Sequence, residues 1–222
     1  MKKIISYCLW GNSPKYTIGA IKNAELAKDI YPDWMCRFYI GTSTPLDIIK
    51  KLNLLPNTEV IVQDTEGNWE GMFWRFEAIS DPDVEIMISR DCDSRLTHRE
   101  KAAVDAWLSG DKNFHIMRDH PFHQTEILGG MWGCRKPLLK NMRELIKEYT
   151  KKGDFWQVDQ NFLREVIYPL VHTESCVHDE FFAGQPFPTS RNGLEFIGQV
   201  FDENEETVVE HLVPLKAYLE SK

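Results

Sequence analysis

Two aspartates follow a short apolar run near the middle of the chain, in the sequence Glu85-Ile-Met-Ile-Ser-Arg-Asp-Cys-Asp. The run has the composition of a buried strand, and Asp91 and Asp93 stand where that strand ends. Because side chains alternate along an extended backbone, both carboxylates point the same way and Cys92 points back towards the protein. Carboxylate oxygens suit a hard divalent cation such as Mn²⁺ or Mg²⁺. The pair therefore predicts a metal site; the alternative is a solvated end of a strand.

Two arginines near these aspartates could attract phosphate oxygens. Arg90 directly precedes the pair, and Arg75 belongs to the upstream aromatic stretch Trp74-Arg75-Phe76. A guanidinium group can bind phosphate through two parallel hydrogen bonds, so either side chain could hold an anion that the metal bridges. The alternative for Arg75 is a stem packed on the core with its charged end in solvent.

Three further polar residues lie in the second half of the chain. Asp159-Gln160 stands where a helix begins, after Gly153-Asp-Phe-Trp-Gln-Val. A carboxylate near a helix N-terminus is favoured by the helix dipole, so Asp159 is either a charge of the cap region or a catalytic group. Gln160 offers both a donor and an acceptor, which suits a sugar hydroxyl. His178 is either a satisfied structural residue or a neutral imidazole that completes a carboxylate site for Mn²⁺.

A polar and aromatic loop and a glycine-containing strand follow the aspartates. The loop Asp119-His-Pro-Phe-His-Gln-Thr-Glu126 is too rich in reactive side chains for a plain linker, and we expect it to line a substrate site. Its histidines, His120 and His123, lack a partner cysteine and are weak zinc candidates. The glycines of Ile127 to Cys134 predict a strand whose backbone passes close to another group. Trp132 lies between glycines there, and it either packs in the core or stacks on a sugar.

Composition limits the class of protein. The 222 residues suffice for one domain with a substantial core. A net charge of −8 argues against a general nucleic-acid binder, which needs a basic face. The five cysteines are odd in number and form no Cys-x-x-Cys pair, which favours reduced thiols in a cytosol-like compartment. No stretch approaches the roughly 20 apolar residues of a transmembrane helix. We expect a soluble protein of the cytoplasm, or of a host's cytoplasm if the source is a virus.

Strand and helix patterns alternate through the first half of the chain. This βαβαβαβ order predicts a single α/β domain, Rossmann-like, whose central and mostly parallel sheet has helices on both faces. No Gly-x-Gly-x-x-Gly follows the first strand and no Walker-type loop is present, which disfavours dinucleotide and P-loop folds.

Thr97 and Glu100 predict a capping box at the start of a helix. The predicted strands are 4–10, 34–40, 59–63, 85–89, 114–118 and 127–134, and the predicted helices are 18–30, 44–55, 71–79, 97–108, 137–150, 157–167 and 208–219.

Taken in order, these motifs resemble those of nucleotide-sugar-dependent glycosyltransferases of the GT-A fold, and most closely glycosyltransferase family eight. Trp74-Arg75-Phe76 is similar to the aromatic–arginine pair that this family has before its metal strand, and Asp91-Cys92-Asp93 to its Asp-x-Asp. Gly129-Gly130-Met131-Trp132 resembles its glycine-containing acceptor-side strand. Asp159-Gln160 resembles its Asp-Gln helix, and His178 is placed like its C-terminal metal-binding histidine.

The resemblance implies transfer of a sugar from a nucleoside diphosphate sugar, a UDP-sugar above all, to the hydroxyl of a glycan or other acceptor. Asp91, Asp93 and His178 would hold Mn²⁺ or Mg²⁺, which offsets charge on the leaving diphosphate. Asp159 would deprotonate the acceptor in an inverting enzyme, or Gln160 would steady an oxocarbenium-like transition state in a retaining one. The residues expected to bind the donor are Leu9, Trp10, Gly11, Asp64, Arg75, Arg90 and Cys92, with Arg191 as a further phosphate ligand. The residues expected to bind the acceptor are His120, His123, Thr125, Glu126, Gly130 and Trp132.

Within the single domain 1–222, residues 1–96 are expected to form a nucleotide-binding half, and residues 97–222 an acceptor-side half with a C-terminal extension. Two alternatives to glycosyl transfer stay open. A sugar-nucleotidyltransferase would use a similar sheet, but it needs a glycine-rich basic loop after the first strand, of which Gly11-Asn12-Ser13-Pro14-Lys15 is a poor version. A catalytically inactive carbohydrate-binding or scaffold protein would keep the fold without needing the metal-ligand set.

Overall fold

A computed structural model describes residues 1–221 and places seven strands in one sheet. The strands are β1 (Lys2–Leu9), β2 (Met35–Ile40), β3 (Thr58–Val62), β4 (Val84–Ser89), β5 (Phe114–Arg118), β6 (Trp132–Arg135) and β7 (Ser175–Asp179). Their order across the sheet is β3-β2-β1-β4-β6-β5-β7. β3, β2, β1 and β4 run parallel, β6 is antiparallel to both of its neighbours, and β7 is parallel to β5. The predicted mostly parallel sheet is confirmed.

Helices cover both faces of the sheet, as predicted. They are α1 (Pro14–Ile30), α2 (Leu46–Leu54), α3 (His98–Ser109), α4 (Met142–Tyr149), α5 (Val158–Phe162), α6 (Tyr168–Val171) and α7 (Val209–Glu220). A π-helical turn, Leu163–Ile167, joins α5 to α6, and 3-10 helices span Trp69–Ser80, Thr150–Lys152 and His172–Glu174. Helices α1, α2 and α3 share one apolar core with the sheet, whereas the 3-10 segment 69–80, α4, α5 and α6 share another. Strands between two such layers are buried on both faces, which explains their apolar sequences.

Several elements differ in type or extent from the sequence prediction. The segment predicted as a helix over 71–79 is a 3-10 helix, Trp69–Ser80. The strand predicted over 127–134 is only four residues long and begins at Trp132, because Gly129 and Gly130 form a turn outside the ladder. Helix α4 begins at Met142, five residues after the predicted start at Pro137. Among residues 1–221, no helix combines the length and apolar character needed to span a membrane.

Candidate active site at the ends of β1 and β4

The carboxyl ends of β1 and β4 open into a cavity of about 710 Å³. These strands are parallel neighbours, so the residues that follow them emerge at the same edge of the sheet, where open α/β folds bind ligands. The lining residues are Cys8, Leu9, Trp10, Tyr16, Met72, Arg75, Asp91, Cys92, Asp93, Gln157, Asp159, Gln160 and Val200. The fold therefore brings both predicted catalytic residues and both aspartates of Asp-x-Asp to one place.

Helix α1 fixes the turn that carries the two aspartates. The Asn23 side chain donates a hydrogen bond to the Ser94 carbonyl at 2.7 Å. The helix also approaches this turn closely, since a Cβ at Gly19 would lie 2.0 Å from the Cys92 carbonyl oxygen. The buried Cys92 thiol donates to the Cys8 carbonyl at 3.4 Å. As the alternation along the backbone predicts, its side chain points back towards the protein.

Arg75 links the two halves of the cavity. Its guanidinium is buried and pairs with Asp91, while its second terminal nitrogen lies 3.5 Å from Oδ2 of Asp159. Burial alone would lower the pKa of Arg75, but the two carboxylates outweigh that effect and raise the pKa. The side chain is therefore a permanent positive charge between two negative ones, at the floor of a cavity that could admit a phosphorylated ligand.

The glycine turn before β6 packs directly against this cluster. A Cβ at Gly129 would lie 2.5 Å from a guanidinium nitrogen of Arg75 and 2.7 Å from the Gln160 amide nitrogen. A Cβ at Gly130 would lie 2.0 Å from Oδ2 of Asp91. Real Cβ atoms do not approach other atoms so closely, so both positions require glycine for the cluster to keep its arrangement. The close backbone approach inferred from the glycines is confirmed, although Gly130 contacts Asp91 rather than an acceptor.

Asp93 stands at the mouth of the same cavity and pairs with a lysine. Nζ of Lys15, in the first turn of α1, lies 2.8 Å from Oδ2 of Asp93. Burial and the neighbouring charge of Asp91 raise the pKa of Asp93, although the Lys15 contact acts in the opposite direction. Removal of this carboxylate from water is costly unless a cation stays beside it. The site is therefore built around counter-charges for two carboxylates.

The start of α5 supplies a carboxylate and an amide to the cavity floor. Asp159 is buried, and the Gln160 amide nitrogen lies 3.5 Å from its Oδ2. The other end of that amide, Oε1 of Gln160, is buried and has no hydrogen-bond partner among the described residues. A buried acceptor without a donor costs free energy, so a bound hydroxyl would satisfy it.

The end of β1 contributes an aromatic wall. Trp10 lines the cavity and packs edge-on against Trp74, with ring centroids 5.8 Å apart. Gly11 follows in the left-handed region at φ +71°, and its N–H donates to Oγ of Ser43 at 2.8 Å. Asp64, in contrast, is exposed in a bend after β3 and does not line the cavity. Of these three predicted donor contacts, only Trp10 reaches the cavity directly.

Two arginines predicted as phosphate ligands, Arg90 and Arg191, lie outside the cavity, so this prediction is wrong for both. Arg90 is buried under the sheet and donates to Oε1 of Glu100 at 2.7 Å. Arg191 bonds to Oδ1 of Asp119 at 2.5 Å and to Oε2 of Glu180 at 3.0 Å. Both guanidinium groups are thus engaged with buried or half-buried carboxylates, and neither lines the cavity.

The structure separates His178 from the two aspartates that it was predicted to assist. It lies on β7, and two strands, β6 and β5, stand between β7 and β4. At about 4.8 Å per strand, this puts β7 roughly 14 Å from β4. Its ring nitrogens face residues of β5 and of the segment after β7, Nδ1 lying 2.8 Å from Nε2 of His115 and Nε2 lying 3.0 Å from the Gln185 side chain. The predicted ligand set of two aspartates and His178 is therefore wrong.

Trp132 is a core residue, which corrects its prediction as a sugar-stacking group. It is fully buried and stacks on Phe114 with ring centroids 5.3 Å apart and planes 15° apart. Phe76 packs on the same ring at 5.4 Å. Its position in β6, at the centre of a covered sheet, leaves neither face of the indole available to a ligand.

The loop 119–126 packs against the C-terminal part of the chain and does not line the cavity. Nε2 of His120 bonds to the His211 carbonyl at 2.7 Å, and its ring lies 4.4 Å from that of Phe196. Nδ1 of His123 accepts from the N–H of Asp119 at 3.0 Å. The two polar residues that end the loop bond to each other, from the Thr125 hydroxyl to the Glu126 carboxylate at 3.4 Å. The prediction that these four residues bind the acceptor is therefore wrong. The loop instead supports the C-terminal segment.

The two aspartates of Asp-x-Asp fit a hard divalent cation without His178. Their donor set is purely carboxylate oxygen, which Mn²⁺ and Mg²⁺ accept when ligand phosphates and water complete the coordination. The ion pairs engage Oδ1 of Asp91 and Oδ2 of Asp93. Asp91 keeps 42% of its side chain exposed, so a ligand in the cavity can reach it.

Six residues at the site were not predicted from the sequence. The cavity is also lined by Cys8, Tyr16, Met72, Gln157 and Val200, and Lys15 pairs with one of its aspartates. Lys15 had a sequence signal, because it ends the stretch Gly11-Asn12-Ser13-Pro14-Lys15 after the first strand, where a sugar-nucleotidyltransferase has a basic loop. Gln157 is held at φ +54°, a left-handed conformation that a single sequence does not reveal. The other four carry no distinguishing pattern.

One antiparallel strand is inserted beside β4, and a cavity lies at the ends of β1 and β4. This arrangement defines the fold shared by GT-A glycosyltransferases and related nucleotidyltransferases. Neither a protein-family model nor a curated protein matches the sequence.

Solved structures show this likeness. A glycosyltransferase involved in glycosylation of the major capsid of PBCV-1 has a TM-score of 0.52 and 18% identity, covering 81% of this chain and 82% of that one. A 4-diphosphocytidyl-2C-methyl-D-erythritol synthase from Anaerococcus prevotii has a TM-score of 0.54 and 13% identity, with 99% and 98% covered. S. aureus TarS in complex with UDP-GlcNAc has a TM-score of 0.53 and 13% identity, and the match covers 87% of this chain and 60% of that one. At these identities the likeness establishes the fold.

Proposed function

We propose that this protein is a glycosyltransferase that moves a sugar from a nucleoside diphosphate sugar to an acceptor hydroxyl. The observation that carries the proposal is the cluster of Arg75, Asp91, Asp159 and Gln160 at the floor of one cavity. It combines counter-charge for a diphosphate with a carboxylate and an amide directly beside that charge. Transfer between a diphosphate leaving group and a hydroxyl requires both kinds of group.

In this proposal the donor lies along the end of β1. Trp10 offers an aromatic surface beside a nucleobase, and Arg75 and Lys15 offer positive charge to the two phosphates. Asp91 and Asp93 would hold Mn²⁺ or Mg²⁺, which when bound neutralises charge on the diphosphate. A UDP-sugar is the donor that we test first, since TarS has this fold and was solved with UDP-GlcNAc.

Asp159 and Gln160 are proposed to act on the sugar and the acceptor. The unpartnered Oε1 of Gln160 would accept a hydrogen bond from a hydroxyl of the donor sugar. The Asp159 carboxylate, held by Arg75, would take the acceptor proton if the reaction inverts the anomeric centre. If the reaction retains configuration, the Gln160 amide oxygen would instead steady positive charge on the sugar ring.

Nucleotidyl transfer is the second candidate, and one observation favours it. Lys15 lies in the first turn of α1, shortly after β1, and pairs with Asp93 of the cavity, where a triphosphate could bind. The two reactions release different products. A glycosyltransferase releases a nucleoside diphosphate from a nucleotide sugar, whereas a sugar-nucleotidyltransferase releases pyrophosphate from a nucleoside triphosphate and a sugar phosphate. Product analysis with both substrate pairs distinguishes them.

The first test is thermal unfolding of the purified full chain with Mn²⁺ and a panel of nucleoside diphosphates, triphosphates and nucleotide sugars. A ligand that binds only the native state raises the unfolding midpoint by mass action, by about 2.7 kcal/mol of free energy at one hundred times its Kd. We expect a rise that needs both Mn²⁺ and a nucleoside diphosphate or its sugar. Asp93→Ala should abolish this joint effect while its midpoint without ligand stays close to wild type. No rise with any pair in the folded protein would overturn the proposal and favour a binding or scaffold role.

A further inference from the structure

Three potential metal ligands lie together on β5 and β7, at the edge of the sheet opposite β3. His115 and Cys176 are register partners on these parallel strands, and His178 follows Cys176 by two residues. Because side chains alternate along a strand, all three project from the same face of the sheet. Their ligand atoms lie within 4.8 Å of one another, and within residues 1–221 they form the only such group of three.

The geometry within this group is close to that of a bound ion. Nε2 of His115 lies 2.8 Å from Nδ1 of His178, and the thiol of Cys176 lies 3.9 Å from the same nitrogen. Tetrahedral zinc with ordinary bond lengths separates two nitrogens by roughly 3.3 Å, and a nitrogen from a sulfur by roughly 3.6 Å. These two distances therefore have to change by about 0.5 Å and about 0.3 Å, which side-chain rotation can supply, and the remaining pair of ligand atoms lies within 4.8 Å.

Packing alone is a poor explanation for these imidazoles. His115 and His178 are almost fully buried, and Nδ1 of His115 has no hydrogen-bond partner among the described residues. Burial of both rings disfavours their charged, protonated form. Neutral imidazole is the form that binds metal. A pair of apolar residues would fill the same space without leaving a buried polar atom unsatisfied.

The surroundings support the ligands and admit an ion. The Trp107 ring stacks on His115 at 5.2 Å and fixes its orientation. Gln185 is held beside β7 by backbone hydrogen bonds of 2.8 Å, and its side chain lies 3.2 Å from the sulfur of Cys176 and 3.0 Å from Nε2 of His178. Its carboxamide can turn to donate or accept, as a partner of metal ligands must. Cys176 also lines a surface cavity of about 480 Å³, through which an ion can enter.

We propose that His115, Cys176 and His178 form a Zn²⁺ site, with water or the Gln185 carboxamide oxygen in the fourth position. Two imidazoles and a thiolate suit a borderline-soft d¹⁰ ion, whereas the carboxylates of Asp91 and Asp93 suit a hard one. Binding displaces the thiol proton of Cys176 to solvent. The ion would join the edge strand β7 to β5 through side chains, at a site distinct from the proposed active site.

The test uses the reduced, chelator-treated full chain and Co²⁺ as a spectroscopic substitute for Zn²⁺. We expect one Co²⁺ per chain, with intense visible bands of tetrahedral geometry and a near-ultraviolet band from thiolate to cobalt, all removed by added Zn²⁺. Cys176→Ser should lose the thiolate band and weaken Zn²⁺ binding by about 100-fold or more, and Gln185→Ala should weaken it roughly tenfold. The half-buried position of Cys176 on an edge strand makes this substitution compatible with folding, and Cys176→Ala is a second variant of the same ligand.

Cys8→Ser is the matched control, because Cys8 is also half-buried but lines the other cavity. It should keep the thiolate band unchanged. Absence of the band in the wild-type chain, or its persistence in Cys176→Ser, would overturn the inference. Asp93→Ala should keep the band, so the zinc site and the proposed glycosyl transfer can fail independently of each other.

Discussion

Arg75 holds two carboxylates that come from different parts of the chain. Asp91 follows β4, whereas Asp159 belongs to α5, and the buried guanidinium lies between them. Removal of one partner from a buried ion pair leaves an uncompensated charge, which is more costly than loss of the contact itself. The arrangement therefore fixes Asp159 beside the cavity whether or not a ligand is bound.

Asp159→Asn is expected to reduce turnover far more than donor affinity. The substitution keeps the shape of the side chain but removes the negative charge and the ability to take a proton. General base catalysis contributes about 10²- to 10⁴-fold to rate, so kcat should fall within that range while the Kd of the nucleotide changes little. Steady-state kinetics and nucleotide titration measure the two effects separately.

Asp154→Asn is the control for this substitution. Asp154 is exposed in the loop just before α5 and does not line the cavity, so its loss should leave kcat at the wild-type value. Equal kinetics for wild type and Asp159→Asn would remove Asp159 from the mechanism.

Gly130→Ala should weaken binding of Mn²⁺ with a nucleotide. The new Cβ would lie 2.0 Å from Oδ2 and 2.6 Å from Cγ of Asp91, so that carboxylate must move away from its place beside Arg75. We expect at least a tenfold loss of affinity, about 1.4 kcal/mol, by calorimetric titration. Gly110→Ala, whose Cβ would meet its nearest neighbour at 3.5 Å, should bind as wild type does. Unchanged affinity in Gly130→Ala would show that the position of Asp91 does not matter for the ligand.

At the scale of elements, the loop 119–126 and helix α7 stabilise each other. His120 bonds to the carbonyl of His211 in α7, and the ring of His123 packs on Phe196 at 5.9 Å. Burial, with the neighbouring rings of His120 and His211, lowers the pKa of His123 to about 3. The loop therefore folds with its imidazole neutral, whereas in the unfolded chain a histidine titrates near its ordinary pKa of about 6.5.

This difference predicts how stability depends on pH. Below pH 6.5 the unfolded chain binds a proton at His123 that the folded chain does not bind, so the free energy of unfolding decreases as pH falls from 6.5 towards 3. The contribution is at most about 1.4 kcal/mol per pH unit. His123→Asn keeps an acceptor for the Asp119 N–H but cannot titrate, so its stability should fall less steeply than that of wild type.

Urea unfolding of both proteins at intervals from pH 7.5 to pH 4.5 measures the effect. The interval above pH 7 is the internal control, because His123 is neutral there in both folded and unfolded states and the difference between the proteins should be constant. Parallel curves at lower pH would contradict the predicted role of His123.

At the scale of the whole molecule, the two halves proposed from the sequence share their cores. Strand β4 of the first half pairs with β6 of the second from Ile86 to Ser89. One apolar core joins Ile4 and Phe73 to Phe162, and the other joins β1 and β2 to Trp107 of α3. Neither half can bury its apolar surface alone, since each sheet face is covered by elements of both.

We therefore expect the full chain to unfold in one cooperative transition. Fragments 1–96 and 97–222, expressed separately, should lack the near-ultraviolet circular dichroism of packed aromatic rings. Unfolding followed by tryptophan fluorescence and by far-ultraviolet circular dichroism should give coincident midpoints. Two separated transitions, or a folded isolated half, would show that the halves are independent domains.

The sequence by itself determined the α/β fold class and the place of Asp91 and Asp93 at the end of a strand. Local periodicity is enough for the fold class, because apolar strand runs and helical spacing are properties of neighbouring residues. The N-cap of α3 is a local example: the Thr97 hydroxyl accepts from the Glu100 N–H at 3.1 Å, as predicted, whereas the Glu100 carboxylate, expected to complete a capping box, accepts from Arg90 and Tyr31 instead. Asp91 and Asp93 also emerge at the end of a buried parallel strand, because β4 ends at Ser89.

Only the tertiary structure decided which distant side chains meet. Trp132, Arg90 and His178 have residue types that suit ligand binding, but their positions in the sheet direct them to Phe114, Glu100 and His115 instead. Strand order sets these partners, and it depends on the packing of both faces of the sheet rather than on any local pattern. For the same reason the sequence placed Asp159 beside Arg75 only through a family resemblance, whereas the fold brings them together across one cavity.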